Sequence, residues 1–143
     1  MEKIVLRGHC ASPGKAEGKA LVSYELFGIG GLMPLLGITP AASKSLAGEY
    51  LPDKILVMPN ASGVGVSLAT YLVNMTKQFG GLPQGIVAST DFPYSMTVIS
   101  AIISETPMVY NLDKDPLEII ETGDFVKMDA GKGVVEVYKK ERR

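Results

Sequence analysis

Polar and small residues that could hold a ligand are concentrated in one run, Asn60-Ala-Ser-Gly-Val-Gly-Val-Ser67. Ser62 and Ser67 offer hydroxyls and Asn60 an amide. Gly63 and Gly65 let the backbone approach a bound group closely. The residues before this run, Lys54-Ile-Leu-Val-Met-Pro59, are apolar without alternation from Ile55 to Met58, which predicts a strand covered on both faces. Pro59 removes a backbone donor and ends the strand. Ser67 is a good N-cap for a following helix. The carboxyl edge of a parallel strand, facing a helix N-terminus, favours an anionic ligand. Asn60, Ser62, Gly63, Gly65 and Ser67 are therefore the candidate site. An ordinary βα turn capped by Ser67 accounts for the same residues without any chemistry.

Two further polar clusters follow apolar strands in the same way. Ser89-Thr-Asp91 comes after Gly85 to Ala88, so Ser89 and Asp91 are candidates for substrate contact or loop support. An N-cap before Pro93 is the simpler role for Asp91 and Thr90. Asn111-Leu-Asp113 comes after Met108 to Tyr110 in the same way, and there too a structural role is the simpler reading beside substrate contact or loop support. Glu17 reads as tying down a turn between the first two strands. The seven methionines read as core filler.

These clusters need elements to position them. Lys3 to Arg7 and Ala20 to Tyr24 read as strands, joined by a tight turn over Ser12 to Gly18. Leu26 to Leu51 is a long apolar loop, with short helical pieces around Ala41 to Leu46. Ser67 to Phe79 reads as a helix with Leu68, Tyr71, Leu72 and Met75 on one face, stopped by Gly80-Gly81. Pro93 to Ser104 reads as a second helix, with Met96, Ile99 and Ile103 on one stripe. Pro116 opens a short helical turn through Glu121. Asp124 to Asp129 and Gly133 to Tyr138 form a hairpin around Ala130-Gly-Lys132. The centre of the chain is thus β-α-β-α-β, parallel and right-handed. Strands from both termini add an antiparallel layer. The expected fold is α/β, a β/β/α domain filling residues 1–143 as one unit.

Composition narrows the function. A 143-residue chain that is 46% hydrophobic can bury one core and is too short for two. A net charge of −1 gives no electrostatic footprint for nucleic acid or an anionic membrane. The basic end Lys139-Lys140-Glu141-Arg142-Arg143 reads as a solvated terminus. Cys10 is the only cysteine and His9 the only histidine, so no disulfide forms within one chain, which fits a reducing cytoplasm. That pair cannot build a zinc site or hold an iron–sulfur cluster, and Cys10 lacks the cationic setting of a reactive thiol. No signal peptide is visible, and the uncharged stretch Leu26 to Thr39 is too short and too broken by Gly and Pro to span a bilayer.

The order of elements, with Gly14-Lys-Ala-Glu-Gly-Lys-Ala-Leu-Val22, Ser45-Leu-Ala-Gly48, Ile55-Leu-Val-Met-Pro59 and Thr122-Gly-Asp124, resembles the small-subunit or swivel-domain family of aconitase X. The resemblance covers nearly the whole chain, and its Gly14–Val22 segment is the most specific part. It implies a swivelling β/β/α domain that docks on a larger subunit bearing an iron–sulfur cluster. The pair would dehydrate a small anionic hydroxy acid, of the mevalonate 5-phosphate or cis-3-hydroxyproline class, and this chain would be inactive alone. In the wider aconitase family a serine in such a loop is the catalytic base. The chain departs from the family at this point. Val64, Gly65 and Val66 stand where relatives carry consecutive serines, leaving Ser62 or Ser67 to supply the hydroxyl. Phe27-Gly-Ile-Gly-Gly31 is likewise an altered form of the family's aromatic-Gly-Gly loop.

Two other readings stand beside this one. Ala11-Ser-Pro-Gly14 and the closing hairpin also resemble the mobile phosphohistidine domain of phosphoenolpyruvate-using enzymes. That chemistry needs a histidine near Ala88 to Tyr94, where there is none. The other is a catalytically silent module that completes a partner's fold. The apolar loop Leu26 to Thr39 is expected to cover part of the domain's core and part of a partner surface.

Overall fold

The computed structural model describes residues 2–23, 51–59, 78, 80, 82–91, 93 and 95–141. Among these residues there are eight strands: β1 (Lys3–Arg7), β2 (His9–Ser12), β3 (Lys15–Val22), β4 (Lys54–Met58), β5 (Gly85–Ala88), β6 (Met108–Tyr110), β7 (Phe125–Asp129) and β8 (Val134–Tyr138). Among the described residues, helices α1 (Ser95–Ile103) and α2 (Pro116–Ile119) and a 3-10 turn at Ala130–Lys132 accompany them.

All eight strands belong to one sheet, in the order β1-β8-β7-β3-β4-β5-β6-β2. Pairing is parallel from β3 through β6 and antiparallel elsewhere. Strands β1 and β2 sit at opposite ends of this order, yet only Gly8 separates them. The sheet therefore curls until its two edges meet at that residue, as in a barrel. The Gly8 amide donates to the Gly133 carbonyl at 2.8 Å. Gly133 has φ +67°, and a Cβ there would lie 2.1 Å from the Gly8 carbonyl oxygen, so only glycine fits.

Strand β3 shows why the sheet is mixed. Its first half alternates, with Lys15, Glu17 and Lys19 exposed, while Ala20, Leu21 and Val22 are all buried. The first half pairs antiparallel with β7, and the second half pairs parallel with β4. One strand thus passes from a sheet wet on one face to one covered on both. Gly18 lies at the crossing, where a Cβ would meet the Asp53 carbonyl oxygen at 2.3 Å. The turn predicted over residues 12–18 is in fact the end of β2, a short link at 13–14 and the start of β3. Glu17 lies within a strand, opposite Lys127, and its carboxylate stands 4.0 Å from the Lys127 ammonium. The parallel part accordingly has four strands rather than the three read from the sequence.

The core has two parts. Inside the curled sheet, Leu6, Val22, Ile55, Val57, Val87, Val109, Val126 and Val137 meet, with Ile120 beside them. Outside, Leu21, Leu56, Met58, Ile86 and Met108 pack with Leu51 and Ala101. The unbroken apolar run of β4 follows directly: Ile55 and Val57 face one part and Leu56 and Met58 the other. Helix α1 meets this outer part through Ala101 and Val98. Of the predicted stripe, Ile99 is half-buried but Ile103 is 37% exposed. The helix buries Ser100 and Ala101, and Ser104 just past its end is buried as well. The Ser104 hydroxyl donates to the Ser100 carbonyl at 2.7 Å, and the Ser12 hydroxyl donates to that of Ala101 at 3.4 Å. No helix among the described residues is long and apolar enough to cross a membrane.

Candidate functional site

Because β3 to β6 run parallel, their carboxyl ends emerge together. Backbone bonds carry the ladder past the strands: Ser23 N donates to Val57 O at 2.8 Å, Ser89 N to Met58 O at 2.7 Å and Asn111 N to Thr90 O at 2.8 Å. Ser23, Pro59, Ser89 and Asn111 therefore gather at one end of the sheet. This is the edge where open α/β sheets place ligand chemistry.

An open cleft of about 250 Å³ lies there, lined by Ser89, Thr90, Asp91 and residues 111–116. Its geometry follows from local sequence. Asp115 precedes Pro116, a residue suited to the first helical position. The Asp115 carboxylate caps α2 by accepting from Leu117 N at 3.0 Å. The same oxygen accepts from the Ser89 hydroxyl at 2.5 Å, which ties the β5 loop to the β6 loop. Asp113 accepts from Arg7 N at 3.1 Å, and its own amide donates to Arg7 O at 2.8 Å, so the floor is pinned to β1. Leu112 packs on the inner core beneath. Asn111 adopts a left-handed conformation, φ +50°. Among the described residues the cleft thus carries carboxylates at Asp91, Asp113 and Asp115 against the ammonium of Lys114.

Of the residues singled out from the sequence, Ser89 and Asp91 line this cleft. Asp91 is exposed, while the Ser89 hydroxyl is engaged in loop support. Asn60, Ser62, Gly63, Gly65 and Ser67 lie outside the described residues, as does the apolar stretch 26–39. Asp115 was missed as a partner for Ser89. Asn111, read as part of a plain turn, lines the cleft. The signal for Asp115 was present in the Asp-Pro pair that opens a helix.

Behind the cleft, Thr122-Gly-Asp124 clamps the second half of β3. Val22 N donates to the Thr122 hydroxyl oxygen at 3.0 Å, Ala20 N to Asp124 O at 2.8 Å and Gly123 N to Ala20 O at 3.0 Å. Asp124 itself is fully buried. Its carboxylate accepts from Lys139 Nζ, from Glu121 N at 2.8 Å and from Lys140 N at 2.9 Å. Burial pushes its pKa up, but the bonds from Lys139, Lys140 and Glu121 outweigh that and hold it below the ordinary carboxylate value. Burial pushes Lys139 down, and Asp124 and Glu121 outweigh this and hold it above the ordinary ammonium value. A motif that reads weakly in sequence is thus the clasp that fixes the strand leading to Ser23.

Among the described residues no group of His, Cys, Asp and Glu could hold a metal ion. Cys10 is exposed, and His9 lies on edge strand β2 with its ring 5.7 Å from that of Tyr110. Neither fits an iron–sulfur cluster, and His9 is not in the loop position that a phosphohistidine carrier requires.

The fold and the polar end together define an α/β domain whose polar loops gather at the carboxyl edge of its parallel strands. The chain belongs to the aconitase X swivel domain family, whose model matches residues 5–137. It is similar to the phosphomevalonate dehydratase small subunit of Methanosarcina acetivorans, with 34% identity over 97% of this chain and 94% of the relative. The small subunit of the same name from Thermococcus kodakarensis is 34% identical over 94% of this chain and 96% of its own length. The crystal structure of Thermococcus kodakaraensis aconitase X in its holo-form superposes with a TM-score of 0.81 at 30% identity, covering 95% of this chain and 99% of that one. The chain is of the dehydratase small-subunit class.

Proposed function

We propose that this chain is the small subunit of a two-subunit hydro-lyase that dehydrates mevalonate 5-phosphate and is inactive alone. The observation that carries this reading is the match over nearly the whole chain to dehydratase small subunits named for phosphomevalonate. Removing water beside a carboxylate needs a base, donors for the carboxylate and an acid for the departing hydroxide. With one cysteine and one histidine, this chain has no ligand set for a cluster. The iron–sulfur cluster therefore belongs to the large subunit. The small subunit contributes loops at the carboxyl edge of β3 to β6. Ser62 or Ser67 is the proposed base, with Asn60, Gly63 and Gly65 around the substrate and Ser89 and Asp91 beside them.

The test is co-expression with the large subunit, anaerobic purification and incubation with mevalonate 5-phosphate. The expected outcome is a stable complex that forms the dehydrated product, with neither subunit active separately. A cluster-loaded complex that leaves mevalonate 5-phosphate unchanged while dehydrating another hydroxy acid, such as cis-3-hydroxyproline, would overturn the substrate. Failure of the two chains to associate would overturn the assembly.

A further inference from the structure

We propose that Asn111 contacts the substrate, its side-chain amide holding the hydroxyl oxygen of the hydroxy acid in the cleft at the ends of β5 and β6. The inference rests on the functional reading above and adds a residue and a substrate orientation to it. Asn111 is the first residue past β6, and its backbone is locked by the bond from its amide to the Thr90 carbonyl at 2.8 Å. Its φ of +50° lies where glycine is favoured and asparagine is tolerated. Glycine would satisfy the backbone there, so the amide is surplus to the turn.

Three other polar side chains of the cleft are committed. Ser89 donates to Asp115, Asp115 caps α2, and Asp113 accepts from Arg7. The Asn111 side chain is exposed and makes no hydrogen bond to another described residue. It is a neutral group able both to donate and to accept. The surrounding carboxylates, Asp91, Asp113 and Asp115, repel an anion and, among the described lining residues, are offset by Lys114 alone. A substrate that carries both charged groups and an alcohol enters such a cleft with its alcohol foremost, its anionic groups pointing away.

The test uses the assembled two-subunit enzyme with three small subunits: wild type, Asn111→Gly and Asn111→Ala. Asn111→Gly keeps the left-handed backbone and removes only the amide. Its kcat/KM for mevalonate 5-phosphate should fall by about tenfold to a hundredfold, the cost of one lost bond at a polar site. Subunit affinity and thermal midpoint should match wild type. Binding measured by calorimetry should show that wild type prefers the substrate over an analogue lacking the departing hydroxyl, and that Asn111→Gly erases this preference. Asn111→Ala should lose as much activity and also some stability, because it strains the turn. If Asn111→Gly keeps kcat/KM within about twofold, or still discriminates the deoxy analogue as wild type does, the amide has no contact with substrate and the proposal fails alone. A wild-type complex that neither binds nor dehydrates mevalonate 5-phosphate overturns the functional reading and this proposal with it.

Discussion

Asp124 offers the most direct test of how the site end is held. Its side chain is fully buried and meets Lys139, which is 16% exposed, together with two backbone amides. Asp124→Ala removes the acceptor from all three donors and leaves the Lys139 charge without its nearest partner. Breaking a buried pair from one side costs about 3–5 kcal/mol, so the variant should sit that far below wild type at pH 7. For a chain of this size that lowers Tm by roughly 10–15 °C. Asp124→Asn keeps an acceptor for one amide and should lose about half as much. The pH dependence has a definite sign. Because the folded pKa of Asp124 is depressed, its stabilisation is present above the unfolded value near 4 and is lost as pH falls through the folded value. The folded pKa of Lys139 is raised, so its share is present below the unfolded value near 10.4 and is lost as pH climbs through the folded value. Urea titrations of wild type and Asp124→Asn at a series of pH values measure this directly. The gap between the two should be widest from about pH 5 to 9 and should close in acid. An Asp124→Ala variant within about 1 kcal/mol of wild type at neutral pH, or a gap unchanged at pH 2, would refute the clasp.

Gly133→Ala should destabilise the fold by about 2 kcal/mol or more, because its Cβ would enter the Gly8 carbonyl where the sheet closes; denaturant midpoints read this without any partner present. In the assembled enzyme, Ser62→Ala should lower kcat by orders of magnitude without changing assembly if Ser62 is the base, and Ser67→Ala should do so if Ser67 is. The N-cap read for Ser67 adds a stability loss of about 1 kcal/mol to the second variant alone. Full activity in both would move the base to the large subunit and leave this chain closing the site.

The described architecture was largely legible from the chain. Unalternating runs at 55–58, 85–88 and 108–110 marked strands covered on both faces, and all three are the parallel strands β4, β5 and β6. Alternation at Val135 and Val137 marked the closing hairpin, whose outer face is wet. The Gly14–Val22 segment identified the family without revealing its own shape. Its lysines and glycines look like a turn, yet β7 on one side and β4 on the other supply every ladder bond, and tertiary pairing overrode the local preference. The face of α1 was misread for a related reason. Apolar spacing singled out Ile103, yet the residues the structure buries there are Ser100, Ala101 and Ser104.

The sequence by itself determined composition, family and element order, because hydrophobic period and turn residues are local properties. It also determined which loops follow parallel strands, and so Ser89 and Asp91 as candidates. Only the tertiary structure decided that the two sheet edges meet at Gly8. It alone joined Ser89 to Asp115 across 26 residues. It also brought Thr122 and Asp124 onto a strand 100 residues earlier and set Asn111 in the lining of the cleft. Those outcomes depend on pairing register and on how far the sheet curls. Both are set by contacts between residues remote in the chain, for which no local pattern exists.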